Sequence, residues 1–214
     1  MSNRRISYDI IRQRLHSNSQ VNQQQVRWKY KPGREAAVLI PLCKVNNQAS
    51  LLFTLRSSQL REHRGEVSFP GGKREDDEAL VDTVLRETKE EIHMNPDELY
   101  GPFLSLPAKS GYKVTAFVGD LGSIEMAHLT FNPDEVTCIF TVPIEKLLES
   151  YQSTRPPPAS LPYSWVIKSK ECSVSHTKTG EPVPSTFTIW GLTGYFVYEF
   201  LTKIIIGSPT TAQL

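Results

Sequence analysis

Three glutamates are spaced so that they fall on one strip of a helix. Glu87 and Glu90 are three residues apart, and Glu87 and Glu91 are four apart. At about 100° per residue, Glu91 lies about 40° to one side of Glu87 and Glu90 about 60° to the other. Carboxylate oxygens are the ligands that Mg²⁺ prefers, and protein-bound Mg²⁺ commonly contacts phosphate as well. The spacing favours a site for a hard divalent cation; the alternative is a solvated acidic face balanced by Arg86 and Lys89.

The residues that precede these glutamates are of the kinds that surround phosphate groups. Gly71-Gly72 has no side chains, so its backbone can approach a ligand closely. Basic residues cluster around this turn, namely Arg56, Arg61, Arg64, Lys73 and Arg74. Groups that bind anions beside a carboxylate-bound cation indicate a site for a phosphate ester or anhydride.

The glutamates require a helix, and the pattern predicts one over residues 78–92, before Asn95-Pro96. Its expected core stripe consists of Val81, Leu85, Thr88 and Ile92, with Leu80 and Val84 beside it. Apolar runs predict strands at 36–43, 50–56, 66–69, 103–107, 114–118, 135–142 and 165–167, and further helices at 144–149 and 190–206. Strands on both sides of a central helix predict an α/β fold with a mixed sheet.

The composition excludes several classes of protein. Of the 214 residues 39% are hydrophobic and 22% charged, which suits a packed globular core. Lys and Arg number 24 against 23 Asp and Glu, so the basic excess of a nucleic-acid binder is missing. The apolar run 196–206 carries Glu199 and Lys203 and is too short to span a membrane. The cysteines lack metal-site spacing and are expected to be buried thiols: Cys43, Cys138 and Cys172.

The chain is expected to form an N-terminal helix and connector (1–35), one domain (36–206) and a C-terminal tail (207–214). The helix is predicted from the spacing of its apolar residues Ile6, Ile10, Ile11 and Leu15. The alternative for this Arg-rich start is a mitochondrial transit peptide. The terminal Ala-Gln-Leu resembles the peroxisomal address Ser-Lys-Leu. We expect an intracellular protein, with peroxisome, mitochondrion and cytosol as the open compartments.

Residues 71–94 resemble the Nudix box, G-x5-E-x7-R-E-U-x-E-E-x-G-U, in which U is aliphatic. The matching positions are Gly72, Glu78, Arg86-Glu87, Glu90-Glu91 and Met94. Thr88 replaces an aliphatic residue and His93 replaces a glycine, although His tolerates the left-handed backbone that such a glycine adopts. The resemblance implies a Nudix-type α/β/α sandwich over 36–206 and a hydrolase that uses Mg²⁺ or Mn²⁺.

The box also implies roles for its charged residues. Glu87, Glu90 and Glu91 would be the catalytic metal ligands, and one carboxylate would deprotonate the attacking water. Glu78 and Arg86 would pair to brace the loop against the helix. A further catalytic acid could come from Glu135 in the segment NPDEV, for which the alternative is a simple turn before a strand.

Residues 51–72 resemble the coenzyme A signature L-L-T-x-R-[SA]-x3-R-x3-G-x3-F-P-G-G. Residues 110–121, 132–136 and 189–193 also look like the coenzyme A diphosphatase group, with Ala116 where proline is expected. The substrate-binding residues implied by the signature are Arg56, Arg61, Gly71 and Gly72. Ion pairs with Glu62 or Glu66 are the alternative for the two arginines.

The implied reaction is hydrolysis of coenzyme A or an acyl-CoA to adenosine 3′,5′-bisphosphate and 4′-phosphopantetheine or its acyl form. The implied partner is therefore a small molecule, with no nucleic acid and no membrane span, and the oligomeric state is left open. Two alternatives remain. The chain could cleave another nucleoside diphosphate derivative, such as NADH, ADP-ribose or a capped nucleotide, or it could bind coenzyme A or a nucleotide without catalysis.

Overall fold

A computed structural model describes residues 7–18, 34–153, 163–177 and 182–207. Its helices are α1 (Tyr8–Asn18), α2 (Leu80–Ile92), α3 (Ile144–Ser153) and α4 (Gly191–Phe200), which continues as a π-helix over Leu201–Gly207. Its strands are β1 (Glu35–Val45), β2 (Gln48–Arg56), β3 (Val67–Ser68), β4 (Gly71–Lys73), β5 (Glu98–Pro107), β6 (Lys113–Ser123), β7 (Val136–Pro143), β8 (Trp165–Lys168), β9 (Ser173–Val174) and β10 (Thr186–Ile189). None of the described helices has the length and apolar content needed to cross a bilayer.

The main sheet is mixed, as predicted. Its described strands run in the order β5-β6-β1-β2-β7-β9, with β3 beside β2 and β4 beside β1. The β1–β6 pair is parallel and the other pairs are antiparallel. A separate pair of strands, β8 and β10, is antiparallel as well. The strands β4, β9 and β10 are elements that the sequence analysis did not predict.

Helices cover both faces of this sheet, which gives the predicted α/β/α layers. On one face, Val84 and Ile92 of α2 pack in a core cluster with Ala37, Leu39 and Leu52 of the sheet. On the other face, side chains of α1, α3 and α4 pack in a second cluster; among them are Ile11, Leu15, Ile144, Leu147, Phe196 and Phe200. Alternate residues of a strand face opposite sides, so each strand contributes to both clusters.

The predicted N-terminal helix is present as α1. Polar contacts hold it to the main sheet and to the C-terminal π-helix. The Arg12 Nε atom lies 2.7 Å from a carboxylate oxygen of buried Asp120 in β6. Arg14 donates a hydrogen bond from Nη1 to the carbonyl of Ile204, 2.9 Å away in the C-terminal π-helix. Of its predicted apolar residues, Ile10 is exposed. Thus α1 connects strand β6 of the sheet to the end of the last helix.

Helix α2 begins and packs differently from the prediction. It starts at Leu80, so Glu78 precedes it, and the predicted core residue Val81 is 39% exposed. The predicted left-handed ending is confirmed, because His93 has φ 54° and ψ 27°. The buried residues of this helix are Thr83, Val84, Thr88, Glu91 and Ile92. Burial of Glu91 means that the helix turns one of its acidic residues toward the sheet.

Three other expectations need correction or lie beyond the description. Pro70-Gly71-Gly72 was expected to end strand structure, but the chain pairs again with β1 as β4. Cys43 and Cys138 are buried as predicted, whereas Cys172 is only half-buried. Most of the connector expected within residues 1–35 and the terminal Ala-Gln-Leu lie outside the described residues.

Candidate active site

The Gly71-Gly72 turn touches two of the predicted metal ligands. The backbone N–H of Gly71 donates to Glu91 Oε2 at 3.2 Å. A Cβ atom on Gly72 would lie 2.4 Å from the carboxylate atoms of Glu87. A side chain at Gly72 would therefore meet the Glu87 carboxylate, whereas a side chain at Gly71 would meet the backbone of β1 at Ala37 and Val38.

Glu91 is the most deeply placed carboxylate of the site. Its side chain is 2% exposed, and Arg56 Nη1 lies 3.4 Å from its Oε1 atom. The pKa of Glu91 is raised to about 8, mainly by burial; Arg56 and the Gly71 N–H act to lower it, and the charges of Glu135 and Glu87 act to raise it. Arg56 therefore does not supply enough positive charge to offset the burial of this carboxylate.

Arg86 lies between the remaining acidic residues of the predicted box. Its Nη1 atom is 3.1 Å from both Glu87 Oε1 and Glu90 Oε2. On its other side, Nε is 2.9 Å from Glu78 Oε1 and Nη2 is 3.0 Å from Glu78 Oε2. This bidentate hydrogen bonding lowers the pKa of Glu78 to about 2. Arg86 thus joins the loop before α2 to the acidic strip of α2.

We expect Glu78→Gln to lower the free energy of unfolding by about 1–2 kcal/mol at pH 7, because Arg86 loses a charged bidentate partner. The folded pKa of Glu78 is below its ordinary value, so its contribution is present above about pH 4.5 and is lost as the pH falls toward 2. Urea unfolding at several pH values measures this difference. Glu75→Gln is the control, because Glu75 is exposed and 4.0 Å from Arg86; equal losses in the two variants would contradict the bracing role.

Glu135 lies in a loop that is tied to the end of α2. The Asn132 N–H donates to the backbone carbonyl of Glu91 at 2.9 Å. Asn132 Nδ2 donates to Glu135 Oε1 at 3.2 Å, and the Ser57 N–H donates to the Glu135 carbonyl at 2.8 Å. The charge of Glu135 contributes to the raised pKa of both Glu87 and Glu91. These contacts bring Glu135 to the glutamates of α2.

The two arginines predicted to bind substrate differ in their surroundings. Arg56 pairs with Glu91, not with Glu62 or Glu66, and its Nε is buried without a hydrogen-bond partner among the described residues. Arg61 is exposed in the loop between β2 and β3. The Arg56–Glu91 pair and the Asn132 contact were missed by the sequence analysis, because they join residues that are distant along the chain.

The acidic groups fit a hard divalent cation in charge and in donor type. Burial is the main reason that the pKa of Glu87 is raised, and the charges of Glu90 and Glu135 add to the effect. A cation would offset this mutual repulsion. Among the described residues, however, no three His, Cys, Asp or Glu side chains converge closely enough to hold a metal. Arg56 lies at Glu91, and Arg86 lies at Glu87 and Glu90, so these carboxylates would have to turn toward a bound cation.

Without a divalent cation, the stability of the folded chain should fall as the pH rises from about 5 to 9. In this range the folded state retains a proton on Glu91 that the unfolded state has lost. The free energy of unfolding therefore falls with each unit of pH until the raised pKa of Glu91 is passed. We expect a loss of roughly 2–4 kcal/mol, measured by urea unfolding in EDTA. Glu91→Gln should remove most of this slope; an unchanged slope would contradict the buried acid.

Comparison with known proteins places this chain beside members of one family. Residues 33–162 match the NUDIX domain. The chain is 37% identical to Nudix hydrolase 3 of Caenorhabditis elegans over 78% of this chain and 72% of that protein. It is 40% identical to the mitochondrial coenzyme A diphosphatase NUDT8 of Homo sapiens over 83% of this chain and 71% of that protein. Among solved structures, a C. elegans Ap4A hydrolase complex aligns at a TM-score of 0.44 with 18% identity, covering 54% of this chain and 84% of that one.

Proposed function

The chain belongs to the Nudix hydrolase family, and on this premise we propose that it hydrolyses the diphosphate bond of coenzyme A and its thioesters. The products would be adenosine 3′,5′-bisphosphate and 4′-phosphopantetheine or acyl-phosphopantetheine. The observation that carries the proposal is the contact of Glu87 and Glu91 with Gly72 and Gly71, in a chain similar to a coenzyme A diphosphatase.

Each acidic residue has a separate part in the proposed reaction. Glu87, Glu90 and Glu91 would hold Mg²⁺ or Mn²⁺, which when bound would supply positive charge against the diphosphate and increase the acidity of nearby water. Glu135 would accept the proton of the attacking water, because its loop is tied to the end of α2 and its carboxylate is held by Asn132 instead of an arginine. The water oxygen forms a bond to phosphorus, and the bond from phosphorus to the bridging oxygen breaks.

The basic and glycine residues would bind and orient the diphosphate. Because Gly71 and Gly72 carry no side chains, a phosphate group would be able to approach their backbone beside Glu91 and Glu87. Arg56 would exchange its contact with Glu91 for a phosphate oxygen once a cation neutralises that carboxylate. Exposed Arg61 would reach the substrate from the loop before β3.

A panel of substrates tests this choice. With Mg²⁺, we expect kcat/KM for coenzyme A or an acyl-CoA to exceed that for NADH, ADP-ribose and a capped nucleotide by about tenfold or more. The products are to be separated by mass, so that cleavage at the diphosphate is seen directly. A clear preference for NADH or ADP-ribose would overturn the coenzyme A assignment and leave the family assignment intact. Binding of coenzyme A with no turnover of any substrate would favour the non-catalytic alternative.

We propose a mitochondrial location, since two of the similar proteins are mitochondrial coenzyme A diphosphatases. This replaces the peroxisome suspected in the sequence analysis, because the names of these two similar proteins are mitochondrial. Microscopy of the chain with an internal epitope that leaves both ends free is the appropriate test. Overlap with a peroxisomal marker would contradict the proposal.

A further inference from the structure

Two cations lie against one aromatic ring where β1 and β6 begin. The guanidinium carbon of Arg34 is 5.7 Å from the centre of the Tyr112 ring, and Lys73 Nζ is 5.6 Å from it. Tyr112 is half-buried and packs on the core, whereas both cations are exposed. Contact with an aromatic face holds a cation without neutralising it. We call Arg34, Lys73 and Tyr112 the Tyr112 patch.

The cations of the Tyr112 patch differ from their basic neighbours in having no acidic partner. Arg74 and Lys113 lie 2.6 Å and 3.5 Å from carboxylate oxygens of Glu35, so these two charges are already paired. For Arg34 and Lys73, no carboxylate oxygen of the described chain lies within ion-pair distance. Their positive charge is therefore available to an anion from solution.

The patch adjoins the candidate active site across the edge of a strand. Gly72, which touches Glu87, pairs with Ala37 on the face that α2 covers, and Lys73 pairs with Ala36 on the opposite face. Among the described strands β4 pairs with β1 alone, at residues 36–38. A ligand whose diphosphate lies at Glu87 would reach the Tyr112 patch by passing from Gly72 to Lys73, which are adjacent in β4. The carbonyl of Lys73 also accepts a hydrogen bond from Arg86, which fixes the distance between β4 and α2.

We propose that Arg34 and Lys73 bind the phosphate monoester on the nucleoside half of the substrate, with Tyr112 as a positioning residue that holds both cations. This inference rests on the proposed function, because coenzyme A carries such a group as its 3′-phosphate. A dianionic monoester matches two unpaired cations in charge, and guanidinium and ammonium groups are common phosphate ligands. The Tyr112 patch would thus distinguish coenzyme A from nucleotides that lack this phosphate.

The test compares coenzyme A with dephospho-coenzyme A, which lacks the 3′-phosphate. We expect the wild-type kcat/KM to favour coenzyme A by about tenfold or more. In the double variant Arg34→Gln/Lys73→Gln this ratio should fall to near one. Tyr112→Leu should lower the ratio in part and Tyr112→Phe should retain it, since only the latter keeps an aromatic face. Arg74→Gln is the matched control and should leave the ratio unchanged.

A binding measurement separates failure of the patch from failure of the proposed function. Calorimetry in EDTA should show that the wild-type chain binds adenosine 3′,5′-bisphosphate more tightly than AMP, and that the double variant binds both equally. Equal affinities in the wild type, or a preference that survives in the double variant, would overturn the Tyr112 patch. Failure to hydrolyse coenzyme A would overturn the proposed function alone, because the calorimetric comparison does not depend on turnover.

Discussion

Glu91→Gln is expected to lower kcat by about 10²–10⁴-fold with Mg²⁺ present, while the chain stays folded. Gln has nearly the same shape but no negative charge, so it retains the packing of α2 and removes a charge from the cation site. Glu91 is the residue to test because it is 2% exposed and contacts both Gly71 and Arg56. Steady-state hydrolysis of coenzyme A, with circular dichroism as a check of folding, measures the effect.

A surface glutamate supplies the control for this variant. Glu125 is exposed and pairs with exposed His128, so Glu125→Gln should leave kcat unchanged. Turnover of Glu91→Gln at the wild-type rate would contradict the proposed role of Glu91 in holding the cation. Loss of activity in both variants would indicate a nonspecific effect of neutralising acidic residues, which also contradicts that role.

Gly71→Ala is expected to lower the free energy of unfolding by about 3 kcal/mol or more, sufficient to prevent folding in a marginally stable chain. Gly71 has φ +145°, and an added Cβ would lie 2.3 Å from the carbonyl oxygen of Ala37 and 2.6 Å from the Cα of Val38. Backbone atoms of β1 cannot move away without breaking the β1–β4 pair. Thermal or urea unfolding measures the loss.

Variants at two other glycines separate the effect of a clash with the backbone from the strain of a positive φ and from contact with a side chain. Gly101 also has positive φ but has open space around it, so Gly101→Ala should cost only about 1–2 kcal/mol. Gly72→Ala would meet the movable end of the Glu87 side chain, so we expect a larger effect on kcat than on stability. Equal stabilities of the Gly71 and Gly101 variants would contradict the close approach of β4 to β1.

The sequence was sufficient to predict the order of most elements but not how α2 is oriented. Counting apolar residues placed Val81 in the core stripe, yet Val81 is exposed and Glu91 is buried. A hydrophobic pattern assigns charged residues to the surface, and it fails where the site itself requires a buried carboxylate. The charged residues of the box identified the family nonetheless, because their spacing along the chain carries that information.

Contacts between distant segments account for most of what the sequence analysis missed. Strand β4 depends on pairing of Gly71–Lys73 with residues 36–38, and no pattern within the Pro-Gly-Gly stretch contains that information. Likewise, the alternative that Arg56 pairs with Glu62 or Glu66 is wrong, because its described partner, Glu91, is 35 residues away. Local propensity predicts elements, but the partners of a side chain depend on how those elements are assembled.

The contacts of α1 make the two ends of the described chain energetically dependent on each other. Arg14 stabilises carbonyl groups at the end of the C-terminal π-helix, and Arg12 joins the same short helix to Asp120 in the sheet. Fraying at either terminus would therefore release contacts at the other. Amide hydrogens near Ile204 should consequently exchange with solvent at a rate set partly by opening of α1, so that the termini behave as one cooperative unit.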